Sequence, residues 1–135
     1  MLPTLFILDD DCPLDTLAYT YAVKIANYLI EIPQGFQTDY ASIPRFLIPF
    51  FIKYEEGYKK AAVIHDWLYW EQKLVRKLAD KILLMAMEIN NTPWHKRYVI
   101  YYAVRIFGSL AWKNNKHRKM LEGKNSRIVK VNLPK

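Results

Sequence analysis

Four side chains of one short region have the types and the spacing to do chemistry together. His65 and Asp66 sit side by side in the apolar run AAVIHDWLYW at 61–70, Tyr69 follows one helical turn after the histidine, and Asp80 comes fifteen residues after it. Burying any of these polar groups unpaired costs several kcal/mol, so the chain must either satisfy them or use them. A carboxylate that accepts from one imidazole nitrogen fixes the tautomer and raises the basicity of the other nitrogen, which is what a general base needs. Tyr69 has the reach to donate its hydroxyl to the same carboxylate. Asp66 lies about 100° round a helix from His65, where it is placed to hold a cation beside the base. On this reading His65, Asp80 and Tyr69 are the catalytic candidates and Asp66 is a metal candidate. The alternative for His65 is a polar core lock on Asp80, and for Asp66 a surface carboxylate paired with Lys59 or another nearby cation.

The elements that must position these groups follow from periodicity. From Gly57 on, Tyr58, Ala61, Ala62, His65, Leu68, Tyr69 and Gln72 share one sector of a helical wheel, with Lys59 and Lys60 outside it. A second helix runs from about Arg76 to Glu88, with Ala79, Ile82, Leu83, Ala86 and Met87 inward, Lys77, Lys81 and Glu88 outward, and Asp80 on the flank. The midpoint between His65 and Asp80 falls at Gln72-Lys73, where the pattern breaks. Each residue is then about seven positions, roughly 10 Å, from the reversal, so an antiparallel hairpin sets the two side chains level. A third helix starts at Thr92-Pro93, with threonine as N-cap and proline at N1, and continues to Trp112. From Tyr98 to Trp112 only Arg105 is charged, so this helix is expected to be central or covered by a partner.

Upstream, residues 2–8, 16–25 and 27–33 read as a small antiparallel meander. The segment PQGFQTDYASIP at 33–44 has the turn chemistry of an ordered loop, ending at Ser42 as a helix N-cap. Asp39 in that loop reads as a cap or turn residue. After Lys113 the polar stretch is expected to loosen, with RIVKVNL at 127–133 returning as a last strand. The fold class is therefore α+β: a small antiparallel sheet, an antiparallel helical hairpin and a third aromatic helix. Residues 1–112 form one domain and 113–135 a basic C-terminal extension.

Composition sets the remaining bounds. The 135 residues are 52% hydrophobic, enough for one core. The single cysteine, Cys12, excludes an internal disulfide and leaves packing or homo-oligomerisation to hold the fold. The N-terminus MLPTLFILDDD lacks the basic region of a signal peptide, and no run is long enough to span a membrane, so the chain is expected to be soluble and not exported by a classical signal. Of the net charge of +7, all resides in 113–135, where eight Lys/Arg face one acid. Lys113, Lys116, Arg118 and Lys119 open that segment and are the candidate contacts to an anionic surface, phospholipid or nucleic acid. No P-loop, dinucleotide-binding glycine pattern, zinc spacing or nucleophile elbow is present.

Two resemblances bear on these residues. H-D-x-x-Y at 65–69 followed by A-D-x-x-L-L at 79–84 resembles the catalytic helix pair of phospholipases A2, especially the short domain of parvovirus capsids. That resemblance implies that His65 activates water, Asp66 helps to hold Ca2+, and Tyr69 and Asp80 support the histidine. It covers about residues 61–86, and the upstream segment has only Gly35 where that family has a glycine-rich calcium loop. A second resemblance spans roughly residues 33–112. G-F-x-T-D-x-A-S-I-P at 35–44, A-A-V-I-H-D-W-L-Y at 61–69, A-D-K-I-L-L-M-A-M at 79–87 and a helix ending F-G-x-x-x-W resemble a family of tailed bacteriophages and prophages. It implies a phage origin, and with it the host cytoplasm or the virion as location, and places Asp39 among the motif positions as a second carboxylate for the metal, with Val75 where a capping Ser or Thr is expected.

Two functions follow from these readings. One is a small cation-assisted ester hydrolase in which His65 draws a proton from water, Asp80 and Tyr69 orient it, and a cation on Asp66 and Asp39 polarises the carbonyl. The other is a virion or assembly protein, with a structural His-Asp network and an aromatic helix and basic segment that meet other phage proteins or nucleic acid. The first expects an open cleft at His65 and the second a closed one.

Overall fold

The computed structural model describes residues 6–7, 15–38, 56–128 and 130. Strands come first and helices after: β1 (Phe6–Ile7), β2 (Asp15–Leu17), β3 (Tyr21–Ile25), β4 (Tyr28–Ile32), β5 (Gln37–Thr38), α1 (Glu56–Glu71), α2 (Arg76–Ile89) and α3 (Trp94–Glu122). This is the α+β class expected from the sequence. The single meander is corrected to two sheets, an antiparallel β1-β2-β5 sheet and a separate β3-β4 hairpin. Residues 16–25 do not run as one strand because the chain bends at Ala18 and Tyr19. There the carbonyl of Leu17 accepts from Gly35 N–H at 2.8 Å and that of Ala18 from Gln34 Nε2 at 2.8 Å. Backbone acceptors that a continuous strand would have spent on a neighbour are thus taken by the turn before β5.

The first helix, rather than the third, is the central element. Ala61 to Asp66 are all buried, as are Leu68, Tyr69 and Trp70. The helix meets β4 and β5 as well as both other helices. Its apolar sector therefore wraps almost the whole circumference, as a helix covered on several sides requires. It ends at Gln72, whose φ of 59° turns the chain toward α2. The second helix buries the five apolar residues its pattern nominated, and Asp80 with them. Val75 caps it without a side-chain hydrogen bond.

Three expectations for the third helix are revised. Pro93 rather than Thr92 is the N-cap, a shift of one residue. The helix does not stop at Trp112 but continues to Glu122, where Gly123 at φ 90° ends it. Of its two expected settings, central or covered by a partner, it does not take the central one. Ile100, Ala103, Val104 and Gly108 are buried, whereas Trp94, Val99, Tyr102, Ile106, Phe107 and Leu110 lie more than half exposed. Of the strand expected at 127–133, the described residues hold a single antiparallel bridge between Phe36 and Ile128. No described helix is long and apolar enough to cross a membrane.

Candidate functional site

The helical hairpin brings His65 and Asp80 together as the spacing arithmetic requires. His65 Nε2 lies 2.7 Å from Asp80 Oδ1, and the Tyr69 hydroxyl donates to the same oxygen at 2.6 Å. An ionised carboxylate only accepts, so the histidine Nε2 carries the hydrogen in this bond. The close approach depends on small residues at two levels. Ala61 and Ala62, one turn before His65, are fully buried. On α3, a Cβ built on Gly108 would stand 2.5 Å from the Tyr69 hydroxyl oxygen and 3.3 Å from Arg76 NH1. Trp112, one turn beyond that glycine, meets the Tyr69 ring edge-on at 5.1 Å. The F-G-x-x-x-W spacing thus builds the wall that covers the tyrosine.

Two arginines that the sequence reading did not place at the site complete it. Arg105 NH1 donates to Asp80 Oδ2 at 2.6 Å, and Arg76 NH1 approaches the same atom at 3.4 Å. Arg76 also donates to the Val104 carbonyl at 3.1 Å, so one guanidinium ties α2 to α3. Both had local signals: Arg76 is one turn before Asp80 on the same helix, and Arg105 is the lone charge in its apolar stretch. Burial by itself pushes the Asp80 carboxyl upward. The His65 hydrogen bond and charge, together with the Tyr69 and Arg105 bonds, outweigh it and hold the carboxyl below its ordinary value. Burial, followed by the bond to the Asp80 carboxylate, pushes the Tyr69 hydroxyl far above its ordinary value.

His65, Tyr69 and Asp80 are each 0% exposed. The imidazole is oriented as a general base would be, but it is closed off from solvent. What the arrangement does directly is join α1, α2 and α3 at one carboxylate.

Asp66 turns the other way, as its helix position requires, and it is buried rather than on the surface. Its Oδ2 accepts from the Thr38 hydroxyl and from Arg127 NH2. The cation beside Asp66 is therefore a guanidinium of this chain. Arg127 also donates from Nε and NH2 to the Gln37 carbonyl and stacks over the rings of Phe36 and Trp70, at 4.8 and 5.3 Å. Among the described residues, Asp66 Oδ1 is buried without a hydrogen-bond partner. Calcium requires six to eight oxygen ligands, and among the described residues a carboxylate already neutralised by arginine, with one oxygen to spare, does not fit it. Asp39 lies outside the described residues.

The four basic candidates occupy the last third of α3. Lys113, Lys116 and Arg118 are exposed, with Arg118 paired to Glu122 at 2.7 Å. Lys119 is half-buried and donates to the Glu71 carbonyl at 3.0 Å, and burial lowers its ammonium below the ordinary lysine value.

The fold and site define a class of protein: a small α+β domain whose helices are joined by a buried His-Asp-Tyr-Arg network. More particularly, the chain belongs to the family described as Protein of unknown function (DUF1353), whose signature matches residues 15–104. That span holds His65, Asp66, Tyr69, Arg76 and Asp80, ends one residue before Arg105, and omits Arg127. The chain is also 37% identical over 73 residues to the uncharacterized protein y4iH of Sinorhizobium fredii (strain NBRC 101917 / NGR234), a match covering 53% of this chain and 30% of that protein. The chain thus spans less than a third of that relative. No solved structure matches it.

Proposed function

We infer that the protein is a non-catalytic virion or assembly component of a phage or prophage, in which His65-Asp80 is a structural lock and α3 is the working surface. The observation that carries this reading is the complete burial of His65, Tyr69 and Asp80, with both oxygens of Asp80 bonded by protein donors. A base that must take a proton from water needs water within reach. The outward face of α3 supports the second half of the reading. It presents Val99, Tyr102, Ile106 and Leu110 along one side, an apolar strip of the kind that marks a protein contact. The exposed Lys113 and Lys116 continue that helix toward an anionic partner. The order of the three motifs at 35–44, 61–69 and 79–87 supports the phage origin.

The ester hydrolase is the competing reading, favoured by the imidazole-carboxylate-tyrosine geometry. Both are tested on His65→Gln. The structural reading expects this variant to lose about 1–3 kcal/mol of unfolding free energy, the cost of disturbing a buried hydrogen-bonded charge. It also expects neither protein to cleave short-chain esters or anionic phospholipid vesicles. Ester cleavage by the wild type that disappears in His65→Gln at unchanged stability would overturn it.

A further inference from the structure

A second polar and aromatic concavity lies apart from the buried network. It is a groove of about 570 Å³ between the β3-β4 hairpin, the C-terminal half of α1 and the segment that follows α3. That is the volume range of small-molecule sites. Its aromatic wall is Trp67, and its cationic side carries Lys119 and Lys124 beside Asn125.

The two tryptophans of the groove are not equivalent. Trp70 is fully committed: its Nε1 donates to the Lys124 carbonyl at 2.8 Å, and Arg127 and Arg118 lie over its ring at 5.3 and 5.8 Å. Trp67 is only half-buried, supported edge-on by Phe36 at 5.1 Å. Among the described residues its indole N–H has no hydrogen-bond partner. The lysines differ from ordinary surface lysines in a similar way. Lys119 spends one of its three N–H donors on the Glu71 carbonyl and sits where burial disfavours its charge. A bound anion would relieve that cost. The backbone of Lys124 is pinned by Trp70, which fixes the root of a side chain whose ammonium is otherwise unspent among the described residues. Of the two acids, Glu71 is engaged by Lys73 at 3.7 Å, which leaves Glu31 on the opposite wall as an acceptor.

A flat aromatic platform, two ammonium groups with donors to spare and one acceptor match a planar heterocycle carrying ring or amino N–H groups and a phosphate. We propose that this groove binds a nucleoside monophosphate unit, the base stacked on Trp67 and the phosphate between Lys119 and Lys124. Base stacking on an exposed aromatic ring with basic residues along the phosphate is the general mode of single-strand binding. The same chemistry is offered by a free mononucleotide and by one residue of a single strand. The inference goes beyond the assembly reading, and its failure leaves the His65 lock untouched.

The test uses the full chain. Thymidine monophosphate and inorganic phosphate are titrated by calorimetry, and a labelled oligodeoxythymidylate by fluorescence anisotropy, at about 50 mM salt, where phosphate contacts are strong. Binding of the mononucleotide identifies the free-nucleotide source, and binding of the oligonucleotide alone identifies a strand. In either case Trp67→Leu, which keeps an apolar side chain against Phe36, weakens binding about tenfold or more. The double variant Lys119→Gln/Lys124→Gln does the same through the phosphate and serves if Trp67→Leu does not fold. The proposal is overturned if neither ligand binds, if inorganic phosphate binds as well as the nucleotide, or if binding survives both variants.

Discussion

The two buried aspartates, Asp66 on α1 itself and Asp80 facing that helix from α2, are stabilised in different ways. Asp80 has both oxygens bonded, by His65, Tyr69 and Arg105, and its two arginines are partly exposed, at 22% for Arg76 and 28% for Arg105. Among the described residues, Asp66 has one oxygen bonded and the other orphaned, and its guanidinium partner, Arg127, is 6% exposed. The difference lies in what happens when a partner is lost. Around Asp80, a released arginine can turn to water. Around Asp66, the guanidinium is itself buried against the Phe36 and Trp70 rings, so it has no such path to water.

The largest effect is therefore expected at Arg127. Replacing it with methionine leaves Asp66 charged and buried, at a cost of about 3–5 kcal/mol in chemical unfolding. Adding Asp66→Asn to that variant removes the stranded charge and recovers a substantial part of the loss, a non-additivity that a double-mutant cycle measures directly. If Arg127→Met is no worse than a surface substitution, the two sites are not different in the way described. A smaller loss, about 2–3 kcal/mol, is expected for Asp80→Asn, since hydrogen bonds to a charged group are weakened while Arg76 and Arg105 relax outward. A loss there larger than that at Arg127 would reverse the comparison.

How much of this was legible in the sequence depends on distance along the chain. The contact of His65 with Asp80 and the Tyr69 bond follow from helical periodicity and a single reversal, so local rules reach them. Arg76 and Arg105 carried signals that local rules can read once Asp80 is known to be buried. Arg127 carried none, because it reaches Asp66 across 61 residues beside a bridge from Ile128 to Phe36, just before β5, that no periodicity encodes. The extension of α3 to Glu122 was missed for a different reason. Residues 113–122 lack an apolar stripe, but Lys, Arg, Met, Leu and Glu are good helix formers and Gly123 supplies the stop. The split of the strands into two sheets was hidden because the run TLAYTYAVKI at 16–25 holds no Gly, Pro, Asn or Asp to mark a turn, whereas side-chain and backbone donors from Gln34 and Gly35 decide the bend.

The central claim is that the Asp80 carboxylate is a stability element, and its titration tests this most directly. Its carboxyl lies below the ordinary value of 3.8 in the folded chain. Its contribution to stability is therefore complete above that pH and is lost as pH falls through the folded value. Unfolding free energy measured between neutral and strongly acidic pH should fall more steeply at the acid end in the wild type than in Asp80→Asn, so that the two curves converge. Parallel curves across that range would mean that the carboxylate does not hold the helices together.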